Sequence, residues 1–496
     1  MVVIRKMWNQ FQKYISPATM ATILVAIICG LILFVPPISG YADNGDFYRA
    51  MLSNGIYRLP SDGSQYVGYV VKKFGILQYF NENNVAVFSS QSIFIKVALI
   101  LNKIFYSSKY FDIRFLGIVY YMAFLPAIHL LTRALVEPAR KIRSYVIALL
   151  IVIVFADASF TLYFNSFFAE PGMLICTLYA FSAVILLARG RYSKRWRLIT
   201  LFFISVILII TSKQQNAPLA LSFGVASIGL FFLPNLKKYE KVALVGGIMA
   251  VLASGAVTYG LINKEFNEVN QYQSFTHGVL METGDPSKKI EAEGINQQFA
   301  LMREQNYYAK TYDTVDPNSK YVKDNLIKKY NFGWIAVYYA KNPRQFINLL
   351  DVATKDIMIT QIKAVGNYTK DSGKKAGAQL TFFTGFSSFA GAFFPGKYAF
   401  LCLLSLVLVM VYGVSFYIDL KKGQAFGIMR FFLVLGLITI CVFVPIVSII
   451  GDGDADLAKH LFMVPVCLDL IFIMLIADIL NHQLWLPAND GGDDDE

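Results

Sequence analysis

The chain has 496 residues, of which 56% are hydrophobic, 15% aromatic and only 16% charged, with a mean hydropathy of +0.51. A soluble chain carries about 25% charged residues, so the composition excludes an ordinary soluble domain and indicates a polytopic membrane protein. The formal net charge of +12 falls largely in short loops between apolar runs, and no basic–aromatic stripe offers a nucleic-acid surface.

The first apolar run, residues 18–38, is long enough to cross a bilayer. Arg5, Lys6 and Lys13 precede it and predict a cytoplasmic N-terminus. The run lacks a small-residue cleavage site and ends in Pro36-Pro37, which predicts a retained helix. The stretch Tyr41-Ala42-Asp43-Asn44-Gly45-Asp46-Phe47-Tyr48-Arg49 then emerges on the outer face. A polar segment, 51–90, follows. Residues 93–105 carry Lys96, Asn102 and Lys103 among apolar residues and predict an interfacial amphipathic helix.

Span two, 113–135, runs into Arg133, Arg140, Lys141 and Arg143. Span three, 144–155, reaches a loop at 157–170 without Lys or Arg. Span four, 172–188, ends in Arg189, Arg191, Lys194, Arg195 and Arg197. Span five, 198–210, reaches Thr211-Ser212-Lys213-Gln214-Gln215-Asn216. Span six, 217–233, returns to Lys237, Lys238 and Lys241, and span seven is 242–262. Counting spans puts the polar segment 263–378 outside. Asn342-Pro343 reads as an N-cap with proline at the first helical position, opening a helix over 344–359. Residues 319–330 also have helical spacing, so the segment reads as a small helical subdomain. The uncharged aromatic stretch 381–395 is placed in the membrane interface. Span eight, 398–418, ends at Lys421 and Lys422; span nine, 431–450, leads to Asp452 and the following loop; span ten, 461–480, leaves an acidic tail, 490–496, in the cytoplasm.

The expected fold is all-α and polytopic, with about ten transmembrane helices and both termini inside. Its parts are an N-terminal module, 1–262, whose first outer loop is 39–112; an external helical part, 263–397; and a C-terminal module, 398–496. Each short loop assigned to the cytoplasm is basic, and the outer ones are not. The cysteines, Cys29, Cys176, Cys402, Cys441 and Cys467, all lie in apolar runs, so no external disulfide framework is expected.

Chemistry-bearing residues gather on the outer side. Asp43 and Asp46 are candidate general bases toward a sugar hydroxyl, with Asp43, closer to the membrane, favoured. Asn44-Gly45 also reads as a plain turn. Lys213 and Lys459 are lone cations in short loops, placed to hold a phosphate or to snorkel to headgroups. Arg49 and His460 are candidates for the same phosphate. Glu170, Asn165, Gln214, Gln215 and His277 are candidate substrate contacts; Glu170 also suits the first turn of a helix. Asp452, Asp454 and Asp456 imitate the start of a calcium loop, but its twelfth position is Met463 rather than Glu. No cofactor is fixed by the sequence; a divalent metal ion, Mg or Mn, stays open.

With Asp43 and Asp46 in the first outer loop, an amphipathic helix beside them and Lys459-His460 before the last span, the layout resembles the GT-C superfamily of integral membrane glycosyltransferases. The resemblance implies a plasma-membrane enzyme with its site on the extracytoplasmic face. It implies transfer of a hexosyl or pentosyl group from a polyprenyl-phosphate donor to a glycan, lipid or protein acceptor. Asp43-Asn44-Gly45-Asp46 departs from the acidic pair of the protein mannosyltransferases. A lipid-linked glycan polymerase or ligase, and a transporter or flippase, are the competing readings. The first predicts Arg and His in the late loop, the second ionisable groups at mid-membrane.

Overall fold

The computed structural model describes residues 12–60, 68–83, 88–136, 140–190, 192–281, 284–308 and 315–485. The readings on Arg5, Lys6, Arg191 and the acidic tail lie outside the described residues. Among those described, nine helices are long and apolar enough to cross a membrane, and one bent pair would make ten. The all-α polytopic architecture expected from the sequence is the one observed.

The first span, α1 (Pro17–Phe34), opens on Ser16, whose Oγ accepts the Thr19 N–H at 3.1 Å, with proline at the first position. The amphipathic helix α2 (Gln91–Phe105) buries Ile95, Ala98 and Asn102 and exposes Ile93, Val97, Ile100 and Ile104, the two faces of a 3.6-residue period. Span two is α3 (Arg114–Leu135). Span three differs from the prediction. Its helix α4 (Ile142–Phe155) has 14 residues, about 21 Å, too short to cross alone. It bends by 51° into a continuation, 158–165, that starts with α5 (Ala158–Thr161). Asp157 makes the break, its Oδ1 capping the Ser159 N–H at 2.9 Å while its Oδ2 accepts the Ser387 N–H at 3.0 Å.

Helix α6 (Glu170–Ala188) is buried almost throughout and packs on α3 and on α7 (Arg195–Ser212). Span six is interrupted: a single turn at 214–216 precedes α8 (Leu219–Ile228). Span seven is α9 (Lys238–Gly260). The polar segment holds α10 (Lys264–Ser274), α11 (Phe332–Lys341) and α12 (Pro343–Asp356). Proline opens α12 as predicted, but Asn342 does not cap it; its Nδ2 donates to the Tyr338 carbonyl at 2.9 Å and closes α11 instead. The aromatic stretch forms α13 (Gly385–Phe393), with Phe389 and Phe393 exposed. The last spans are α14 (Tyr398–Lys422) and α15 (Ala425–Asp452), then a short turn α16 (Leu457–His460), then α17 (Met463–Leu480).

Two small antiparallel sheets, not read from the sequence, hold the loops at one end of the bundle. Strand β1 (Ser39–Tyr41) pairs with a strand at 365–368, and β2 (Ile56–Tyr57), β3 (Lys73–Ile76) and β4 (Tyr110–Asp112) form the second, the distant partner of β1 being β5 (Val365–Tyr368). Asn165 locks β1 in place. Its Nδ2 donates to the carbonyls of Leu33 at 3.1 Å and Ser39 at 3.0 Å. Gly40 and Gly117 approach it so closely that a Cβ on either would fall 2.8 Å and 2.3 Å from its side chain. Asn165→Ala leaves two buried carbonyls without a donor, so stability should fall by about 1–3 kcal/mol. A thermal-melting measurement in detergent checks this; an unchanged midpoint would deny Asn165 the bracing role.

Candidate active site at the loop-rich end

The loop from Tyr41 to Arg49 is anchored at both sides by aromatic packing. Tyr41 and Phe47 are buried and meet Phe168 at 4.3 and 5.2 Å between ring centroids. Gly45 takes φ +107°, a conformation that side chains resist. The two aspartates between these anchors then point to different places.

Asp43 is turned into the protein and is 4% exposed. Its Oδ1 accepts the N–H of Gly45 at 2.7 Å and of Phe47 at 3.4 Å. Its Oδ2 accepts Arg58 Nε at 3.1 Å and a second, shorter bond from the same guanidinium. Asp46 instead faces a cavity. Its Oδ2 is 2.9 Å from Lys459 Nζ, and its Oδ1 is 3.2 Å from Arg49. The Lys459 ammonium also bridges to Asp456 Oδ2 at 2.9 Å and is only 6% exposed. Asp456 is presented by a left-handed φ of +49°, which aspartate tolerates. Burial alone would push the Asp46 carboxyl up; the Lys459 ammonium, then the Arg49 guanidinium, outweigh it and hold it at about 2. Burial would lower Lys459, but Asp46 and Asp456 raise it above its ordinary value. The depressed Asp46 means the pair's contribution to stability is complete above the ordinary carboxylate range and is lost only as pH falls toward 2.

The cavity has a volume of 1210 Å³, larger than the roughly 300–1,000 Å³ of ordinary ligand pockets. Its polar head contains Asp46, Arg49, Glu170, Lys213, Lys459 and His460. Gln214 and Gln215 also line it. Lys213 Nζ pairs with Glu170 Oε1 at 2.8 Å, and the Gln215 amide nitrogen lies 3.1 Å from His460 Nε2. Burial, then the Lys213 charge, push the His460 imidazole down to about 3, so it is neutral. From this head the cavity continues along α15 from Asp452 to Thr439, about 20 Å of helix axis. Phe443 and Val447 line that part while remaining 55% and 37% exposed, so the groove opens sideways from the bundle. Phe266, Val269, Asn270 and Gln273 of α10 wall the other side, and Arg49 stacks on Phe266 at 4.6 Å.

The structure therefore brings most of the predicted site residues together and separates three. Asp43 does not reach the cavity, because Arg58 and two backbone amides use its carboxylate. Asn165 does not, because it braces β1. His277 does not either: its Nδ1 is 2.8 Å from Asp454 Oδ1, and its carbonyl accepts the Asp454 N–H at 2.9 Å, docking α10 onto the late loop. The lysines are not lone cations; each is paired across the chain. Sequence reasoning missed Arg58, and it treated Asp452, Asp454 and Asp456 as one failed calcium motif. The three go separate ways: to the cavity, to His277 and to Lys459. Among the described residues no group of three His, Cys, Asp or Glu side chains is placed to hold a metal ion, so no step is derived through one.

The helices and the cavity define a polytopic membrane protein with a polar head joined to a membrane-depth groove. The chain belongs to the family described as the YfdI N-terminal transmembrane domain, which it matches over residues 5–494. No curated protein matches it in sequence. It is similar to the solved archaeal oligosaccharyltransferase AglB from Archaeoglobus fulgidus, in complex with an inhibitory peptide and a dolichol-phosphate. The identity is 13%, with 97% of this chain and 53% of that chain covered and a TM-score of 0.37. It is also similar to the Archaeoglobus fulgidus oligosaccharyltransferase tethered to an acceptor peptide, at 12% identity, with 96% and 50% coverage and a TM-score of 0.37. The chain spans about half the length of these structures, and at such TM-scores the likeness fixes neither fold nor chemistry.

Proposed function

We propose that the protein is a GT-C-type membrane glycosyltransferase that moves a sugar from a polyprenyl-phosphate donor to an extracytoplasmic acceptor. One observation carries the reading: a single cavity joins a sideways-opening apolar groove to a head where Asp46 lies against Lys459. A polyprenyl phosphate is an anion on a long apolar tail. The groove along α15 suits the tail. Lys459, Arg49 and Lys213 suit the phosphate, at the depth where the head begins.

Asp46, rather than Asp43, takes the role of general base. It is ionised, it faces the cavity, and no backbone amide uses its oxygens as those of Asp43 are used. With Lys459 and Arg49 on it, the carboxylate is a weak base. A donor phosphate that draws on both cations leaves Asp46 more basic, so the proton of the acceptor hydroxyl is taken after the donor is seated. The hydroxyl oxygen then attacks the anomeric carbon as the phosphate leaves with its electron pair, inverting configuration in one displacement. The interrupted third and sixth spans do not call for a transport path. The first carries the braced loop and the second the Gln214–Asn216 turn of the cavity wall.

The basic loops at the far end of the bundle, which include Arg140, Lys141, Lys194, Lys237, Lys238, Lys421 and Lys422, support an orientation with that end in the cytoplasm of a plasma membrane and the cavity outside. A cysteine introduced at Lys320, an exposed position, should react with an impermeant maleimide in intact cells. Labelling only after lysis would reverse the orientation and remove the site from the outer face.

A further inference from the structure

Resting on that reading, we infer that Glu170 and Asp452 form a subsite that reads the hydroxyls of the transferred sugar. The observation is a set of buried polar atoms, on side chains that line the cavity, with no partner among the described residues. Glu170 is fully buried; its Oε1 takes Lys213, while its Oε2 accepts nothing. Asp452 is 5% exposed; its Oδ2 is 3.5 Å from His460 Nε2, and its Oδ1 accepts nothing. Gln214 Nε2 and Gln215 Oε1 are also unpaired among the described residues. All four residues line the same cavity.

Unmade hydrogen bonds of this kind are costly in a folded chain, and a carboxylate more than an amide. Asp452 is the less explicable as a purely structural residue. It is the last residue of the 28-residue α15, where the negative end of the helix dipole opposes a carboxylate. A ligand that offers O–H donors to both carboxylates and an oxygen acceptor to Gln214 satisfies the set. Neighbouring hydroxyls on a sugar ring do both at once, since each hydroxyl donates one hydrogen bond and accepts others. The subsite is separate from Asp46 and Lys459, which deal with the proton and the phosphate. Lys213 holds one Glu170 oxygen, and the His460 ring lies beside one Asp452 oxygen.

The test compares two probes on the purified full chain in lipid nanodiscs: bare polyprenyl phosphate and polyprenyl phosphate bearing a neutral hexose. The wild type should bind the hexose form more tightly than the bare form. Asp452→Ala and Glu170→Gln should each lose about tenfold or more of the hexose preference while still binding bare polyprenyl phosphate, which also shows that they have folded. A hexose preference unchanged in both variants overturns the inference while leaving the enzyme reading standing. A wild type that binds neither probe overturns both.

Discussion

Asp46→Asn lowers sugar transfer by about 10²–10⁴-fold, the range a general base supplies, while donor binding persists. The substitution keeps the size of the side chain and removes only its charge and basicity. It frees Lys459 and Arg49 from one carboxylate oxygen each. Both cations are then more available to a phosphate, so donor affinity should hold or rise. Asp43→Asn behaves differently. Arg58 is left with a neutral partner in a site where the two side chains are 14% and 2% exposed, and breaking a buried pair of this kind costs about 3 kcal/mol. The expected outcome there is a lower melting temperature with transfer per folded molecule close to that of the wild type. Transfer rates normalised to folded protein decide between the two. A dead, stably folded Asp43→Asn beside an active Asp46→Asn would hand the base role back to Asp43.

Lys459→Met weakens binding of polyprenyl phosphate by about 10- to 100-fold, the worth of a charge-assisted hydrogen bond lost from a buried site. The lysine bridges Asp46 and Asp456. Without it two carboxylates face the cavity together and repel the incoming anion. Lys213→Met should cost less. Its side chain is 26% exposed, and exposure screens its charge. Titration of a fluorescent polyprenyl phosphate measures both variants. Equal and unchanged affinities would leave the lysines only structural pairing to do.

The spans were legible because bilayer thickness imposes a length and a composition that few other segments meet. The first helix, the amphipathic α2 and the late spans sit where hydropathy and charge place them. The bend at Asp157 was not legible. It depends on Ser387, a residue 230 positions away, and a local pattern cannot show that partner. The same holds for the pairing of β1 with β5. The site was legible as a region and not as roles. Asp43 and Asp46 share one loop and one chemistry, and what separates them is their partners: Arg58 and two backbone amides on the first, Lys459 and Arg49 on the second. Lys213 looked like a lone cation because its partner Glu170 lies 43 residues away, and Lys459 because Asp46 lies 413 residues away, although its other partner, Asp456, is a near neighbour. Asn165 and His277 drew attention as polar residues in outer loops. Their packing against Gly40, Gly117 and Gly453 shows that they hold the loops from which the site is built.

The central claim is that sugar leaves a polyprenyl phosphate in this cavity with Asp46 as the base. Purified protein reconstituted with radiolabelled polyprenyl-phosphate hexoses and an envelope extract as acceptor source gives the direct measurement. It follows the label from the lipid phase into the acceptor. The account predicts label transfer by the wild type from at least one such donor, and transfer reduced by about 10²–10⁴-fold in Asp46→Asn. Label that stays on every lipid donor, or that moves equally well with Asn at position 46, would contradict it.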